Sequence, residues 1–177
     1  FPLRTPCCRK HGSIANRRLI MLFKNVMVPY DGSDHAIRAL DTAAKLIADD
    51  PNAKIHVVNV LATSDFTPKY GNSNPFWHPY DSMDEASYAR LMVEAKESAI
   101  ADLKADLHDT LAELGDKVSV DVITSAGTGA GVVDYAADHK CDLIVMGSRG
   151  LGGIRGLLGS VSFSVLGESE VPVLVVK

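Results

Sequence analysis

Short apolar runs alternate along this chain with longer stretches in which apolar residues recur every three or four positions. From Met21 onward that alternation predicts a parallel sheet covered by helices. Five runs read as strands: Asn25 to Tyr30, Ile55 to Leu61, Val118 to Thr124, Leu143 to Gly147 and Val171 to Val176. Between them, Asp34 to Ala48 carries Ala36, Leu40, Ala43, Ala44 and Ile47 on one helical face. Glu85 to Leu114 repeats the pattern with Met92, Ala95, Ala99, Leu103, Leu107, Leu111 and Leu114. Gly131 to His139 and Ser160 to Gly167 complete a β-α-β-α-β-α-β-α-β order. Right-handed crossovers then give a doubly wound, five-stranded parallel sheet with helices on both faces, a Rossmann-like α/β fold. Ligands of such a fold bind beyond the strand C-terminal ends, where strand order reverses.

A length of 177 residues suits one domain, and 46% hydrophobic with 23% charged residues is ordinary for a globular chain. The apolar runs fall short of the roughly 20 residues that cross a membrane, so neither a transmembrane helix nor a membrane partner is expected. Residues 1–20 differ from the rest in holding Arg4, Arg9, Lys10, Arg17 and Arg18 and no acid. Five of the 18 bases thus lie there, which leaves 13 against 22 acids and a formal charge of −9 for residues 21–177. Such a surface argues against nucleic acid as a partner. The leader is compatible with an organelle-targeting segment, a basic tail, or translated sequence upstream of a start at Met21. The last is favoured, because the folded pattern begins at once there and the leader lacks the apolar core of a secretory signal; it is expected to be disordered or not native. Cys7 and Cys8 sit in it, Cys141 reads as a small core residue, and the odd count suits a reducing cytoplasm.

Two turns carry unusual chemistry. The segment Gly147 to Ser160 leaves the fourth strand with six glycines in its first thirteen residues and ends at a serine that opens a helix. Residues without a Cβ let backbone N–H groups approach an anion, and a helix N-terminus favours negative charge, so this loop looks built for phosphates. The alternative is a crossover loop with glycines for its turns alone. The other turn, Val28-Pro29-Tyr30-Asp31-Gly32-Ser33-Asp34, sets Asp31 at a strand end. Locally, an Asx turn explains it as well as a ligand does. Its position tilts the reading: an acid opposite a phosphate loop meets the base or ribose of the same nucleotide.

These pieces together resemble the ATP-binding branch of the universal stress proteins, which is marked by Gly-x2-Gly-x9-Gly-(Ser/Thr) after the fourth strand. Gly147-x2-Gly150 matches its beginning and Gly159-Ser160 its end, with Val161-Ser162 following. The Val-Pro-Tyr-Asp-Gly-Ser turn, the run from Asp142 to Gly147 and the terminal run from Val171 to Val176 are similar too, so the resemblance covers residues 21–177. One departure stands out: eight residues, Leu151 to Leu158, separate Gly150 from Gly159 where the pattern has nine. The resemblance implies the adenine-nucleotide alpha-hydrolase-like form of the fold, with ATP as ligand and Mg2+ held through its phosphates. By the same resemblance Asp31 is the adenine-side acid and Val60 offers backbone to the base. Pro29 and Tyr30 flank the base, with Met146 beneath it. Gly147 and Gly150 approach ribose and phosphate, Gly159, Ser160 and Val161 serve the distal phosphates, and Gly127 approaches the ribose. Arg149 and Arg155 are candidates to add charge.

Catalysis has less behind it. No Walker A lysine loop, Rossmann Gly-x-Gly-x-x-Gly, Gly-x-Ser-x-Gly elbow or zinc-type His cluster occurs. The six histidines are scattered and read as surface or packing residues, so no catalytic or metal-ligating residue is assigned. Three functions remain: a cytoplasmic stress regulator that binds ATP, an interaction module of the same fold without nucleotide, and a slow ATP hydrolase. The first is preferred. The segment Ala62 to Ser82, with Pro68, Pro75, Pro79 and the aromatics Phe66, Tyr70, Phe76, Trp77 and Tyr80, is long for this fold. It reads as a nucleotide cover, a partner surface, or aromatics packed on their own domain. The last strand, 171–176, is apolar on both faces, and the resemblance implies a homodimer in which two such strands meet antiparallel.

Overall fold

The computed structural model describes residues 23–63, 84–151 and 157–177. The basic leader, nearly all of the aromatic segment, and residues 152–156 of the glycine-rich loop, with Arg155 among them, lie outside the described residues. Five strands form one parallel sheet in the order β3-β2-β1-β4-β5. They are β1 (Asn25–Pro29), β2 (Lys54–Ala62), β3 (Val118–Ser125), β4 (Leu143–Gly147) and β5 (Val173–Val176). The helices are α1 (Asp34–Ile47), α2 (Glu85–Asp106), α3 (His108–Leu114), α4 (Thr128–Asp138) and α5 (Ser160–Glu168).

Strand alternation divides the core into two layers. Val26, Val28, Tyr30, Ile55, Val57 and Val145 face α1, α2 and α3, whereas Met27, Val58, Ile144 and Met146 face α4 and α5. On α1 the inward stripe is Ala36, Ala39, Leu40, Ala43 and Ile47. Its N-terminus is capped by Ser33, whose hydroxyl accepts from the Ala36 N–H at 3.2 Å.

Beyond shifts of a single residue, three element boundaries differ from the sequence expectation. The long helix is broken at Leu107 (φ −96°, ψ 9°), where α2 gives way to α3; Leu103 and Leu107 are buried, while Met92 and Ala95 near the other end are only half-buried. Next, α4 starts at Thr128, three residues before Gly131, because Gly127 stands extended and its carbonyl already accepts from the Gly131 N–H. Finally, β5 starts at Val173 rather than Val171: Pro172 has no N–H to give the ladder, although its carbonyl accepts from Ile144. No described helix is long and apolar enough to cross a membrane.

The N-terminal ends of the central strands are pinned by a side chain. The Asp142 carboxylate accepts from the backbone N–H of Lys24 at 2.7 Å and of Asn25 at 3.0 Å, which ties the start of β1 to the start of β4. The neighbouring position Cys141 is buried, as expected, and burial followed by the Asp142 charge pushes its thiol up to about 11.

Candidate functional site

Strand order reverses between β1 and β4, and the two chains leaving their C-terminal ends diverge there. A cavity of about 460 Å³ opens between them. Of the thirteen residues singled out from the sequence, Arg155 lies outside the described residues and eleven line the cavity: Pro29, Tyr30, Asp31, Val60, Met146, Gly147, Arg149, Gly150, Gly159, Ser160 and Val161. Gly127 is not among the lining residues; its neighbour Thr128, at the start of α4, takes that position. Three adjacent strands give Pro29, Val58, Val60 and Met146 to the apolar part of the lining, and Leu151, Leu157 and Leu158 of the loop add to it.

The Asp31 turn is built as an Asx turn, with Asp31 Oδ1 accepting from the Ser33 N–H at 3.0 Å and Gly32 at φ +78°. Turn and ligand readings thus fall on the same carboxylate, because its other oxygen, Oδ2, stands against Gly150 across the cleft. A Cβ at Gly150 would collide with it. The two lips are joined again where Ser33 Oγ reaches the Arg149 carbonyl at 3.5 Å.

Gly147 is required by packing. A Cβ there would lie 2.6 Å from His35 Cβ and 2.8 Å from the His35 carbonyl carbon, so glycine lets the first turn of α1 rest on the end of β4. Gly159 holds the far side of the loop, its N–H donating to the Ser148 carbonyl at 2.8 Å. It, and not Ser160, is the cap position of α5, and no side chain caps that helix. The leading N–H groups of α5 are therefore not occupied by a cap where Ser160 and Val161 line the cavity. Ser162 Oγ fastens α5 to β4 through the Gly147 carbonyl at 2.8 Å.

Tyr30 departs from its expected role. Its ring is only 6% exposed and belongs to the core under α1 and α2. Burial, then Asp106, then Asp31 raise its phenol above the ordinary value. Tyr30 thus serves the core as well as lining the cleft. Sequence reasoning missed Asn59, whose Nδ2 donates to the Tyr30 carbonyl at 2.9 Å; the signal was an amide inside the otherwise apolar run from Val57 to Leu61. Among the described residues no group of three or more His, Cys, Asp or Glu side chains could hold a metal.

Away from the cleft, His56 is half-buried, with Nε2 at 2.6 Å from Asn25 Oδ1 and Nδ1 at 2.9 Å from Ser119 Oγ. The Asn25 amide nitrogen is committed to the His139 and Lys140 carbonyls, so its oxygen faces the ring and Nε2 carries the proton. Burial, then His139, lower the His56 pKa below 6.5; Asp121 opposes this and Lys54 adds to it.

A doubly wound α/β sheet with an acid-bearing turn and a glycine-lined helix entrance around a cavity at its switch point is the arrangement of the Rossmann-like class. Residues 22–177 match the universal stress protein family, and the chain belongs to it. Among its relatives, a universal stress protein of Thermus aquaticus, encoded 3′ of a sulfhydrylase gene, is 33% identical over 157 residues, covering 88% of this chain and 100% of the relative. A universal stress protein of Methanocaldococcus jannaschii is 31% identical over 159 residues, covering 88% and 83%. Among solved structures, the hypothetical protein MJ0577 superposes with a TM-score of 0.70 at 25% identity, covering 88% of this chain and 96% of that one. A universal stress protein in complex with cAMP superposes at 0.50 with 26% identity, covering 88% and 97%.

Proposed function

We propose that this chain is a cytoplasmic stress-response regulator that binds ATP, with Mg2+ carried on the phosphates, between the Asp31 turn and the glycine-rich loop. The observation that carries the reading is the convergence on one cavity of Asp31 from the turn after β1, Val60 from β2, and Met146, Gly150 and Ser160 from the passage between β4 and α5. Asp31 offers a carboxylate to the amino group or a hydroxyl of the nucleoside, and Pro29, Val60 and Met146 offer apolar surface to the base. The uncapped start of α5 and the backbone of Gly159 suit phosphate. The complex of a relative with cAMP supports an adenine nucleotide as the ligand class. Regulation is favoured over turnover because hydrolysis needs a base or water-orienting group beside the phosphates, and no such set was recognised in the sequence.

A homodimer is part of the proposal. The edge strand β5 leaves Leu174 38% exposed, and α5 beside it leaves Phe163 73% exposed, so apolar surface flanks an unpaired edge. The ligand is tested by purifying the protein without added nucleotide, denaturing it, and chromatographing the supernatant. The reading expects ATP in proportion to protein, lost in Asp31→Ala. Failure of added Mg-ATP to bind the emptied, folded protein would overturn it.

A further inference from the structure

Where β1 ends, the ladder to β2 is finished in an unusual way. Pro29 pairs with Val58, and the Tyr30 N–H donates to the Val58 carbonyl at 2.9 Å. In a parallel pair both polar groups of a residue face the same neighbour, so the natural next donor to the Tyr30 carbonyl is the Val60 N–H. Val60 does not make that bond. The side-chain amide of Asn59 takes the carbonyl instead, at 2.9 Å. Val60 remains in register with Ile123 of β3, and it lines the cleft. Its polar groups therefore face the side of β2 from which β1 has just departed.

We infer that Asn59 is a positioning residue for the ligand: its amide ends the β1–β2 ladder at Tyr30, leaving the Val60 peptide open to the cleft and fixing the peptide that leads into Asp31. A short side chain carrying a donor suits this task, because it reaches the adjacent carbonyl and competes there with the backbone. An apolar residue at 59 would let Val60 close onto Tyr30 and extend the sheet by one bond into the cleft. The consequence for binding rests on the nucleotide reading above; the consequence for the ladder does not.

The test uses the whole chain and two readouts, amide hydrogen exchange without ligand and calorimetric titration with Mg-ATP. In wild type, the Val60 amide exchanges faster than the ladder amides of β2. In Asn59→Ala its exchange slows about tenfold as it pairs with Tyr30. The Kd for Mg-ATP rises about tenfold, the scale of one lost hydrogen bond. Added to Asp31→Ala, the same change costs less than tenfold, because the part of its effect that runs through Asp31 is already lost. Asn59→Asp keeps the shape but lacks the donor, so it guards against a cavity effect and should raise Kd as well. A merely structural role would lower the melting temperature and leave Val60 exchange unmoved. Unchanged Val60 exchange in Asn59→Ala overturns the inference whether or not nucleotide binds. Wild type that shows the exchange pattern but binds no Mg-ATP refutes the nucleotide reading and leaves the control of the ladder by Asn59 standing.

Discussion

Replacing Gly147 by alanine should damage stability and the cleft together, through one contact. The added Cβ would stand 2.6 Å from His35 Cβ and 2.8 Å from the His35 carbonyl carbon, so ordinary packing near 3.4 Å requires the first turn of α1 to retreat by about 0.8 Å. That turn is part of an interlocked core, with Ala36 at 3% and Ala39 at 0% exposure, and the obstacle includes backbone that no rotamer change removes. Overpacking of this kind costs about 1–3 kcal/mol. With a urea slope of about 2 kcal/mol/M, the unfolding midpoint falls by about 1 M. The matched control is Gly167→Ala in α5, where a new Cβ meets nothing within 4 Å; there the better helix former adds about 0.5–1 kcal/mol. Because His35 and the Ser33 cap move together, Gly147→Ala also displaces the Asp31 turn and weakens any ligand held by it. Urea titrations of the three proteins decide the matter. Equal midpoints for Gly147→Ala and wild type would refute the packing argument.

Asp142→Ala removes both acceptors that hold Lys24 and Asn25, and should lower unfolding free energy by about 1–3 kcal/mol in urea titration, with faster amide exchange at the start of β1. His56 makes stability depend on pH with a fixed sign. Its folded pKa lies below 6.5, so as pH falls through 6.5 the unfolded chain takes up a proton that the native state resists. Its contribution is complete above 6.5 and is lost as pH falls towards the folded value. His56→Gln should therefore flatten the urea midpoint between pH 7.5 and 5 relative to wild type, and an unchanged slope would remove His56 as the cause. Leu174→Lys on the β5 edge should convert a dimer to monomer in sedimentation velocity at micromolar concentration, whereas wild type that is already monomeric would contradict the proposed interface.

Much of the fold was legible because the strands are apolar runs closed by turn residues. Asn25 to Tyr30 overshoots β1 by one residue, and Leu143 to Gly147 coincides with β4, since periodicity and punctuation agreed at those places. The helix break at Leu107 was not legible. A heptad-like apolar stripe continues through it, and neither glycine nor proline marks the place. The start of α4 was placed three residues late, at Gly131, because the glycines at 127 and 129 disfavour helix in the sequence. Gly129 and Gly131 are instead buried contact points, the first against Ser164 and the second against Ser125 and Val60. In the site, main-chain positions were easier than side-chain roles. Glycine spacing located the loop, but the direction of the Tyr30 ring follows from strand alternation around a core whose facing helices had not been placed. The Asn59 amide and the His56 pairing depend on register between strands 29 to 63 residues apart, which a single sequence does not display.

The central claim is that the cavity between the Asp31 turn and the glycine-rich loop holds an adenine nucleotide. Isothermal titration of nucleotide-free protein with Mg-ATP tests it most directly. Saturable binding of one ATP per chain, weakened at least tenfold in Asp31→Ala and in Gly150→Val while both variants remain folded, is the predicted result. Binding of equal strength in both variants, or no saturable binding to the wild type, would contradict it.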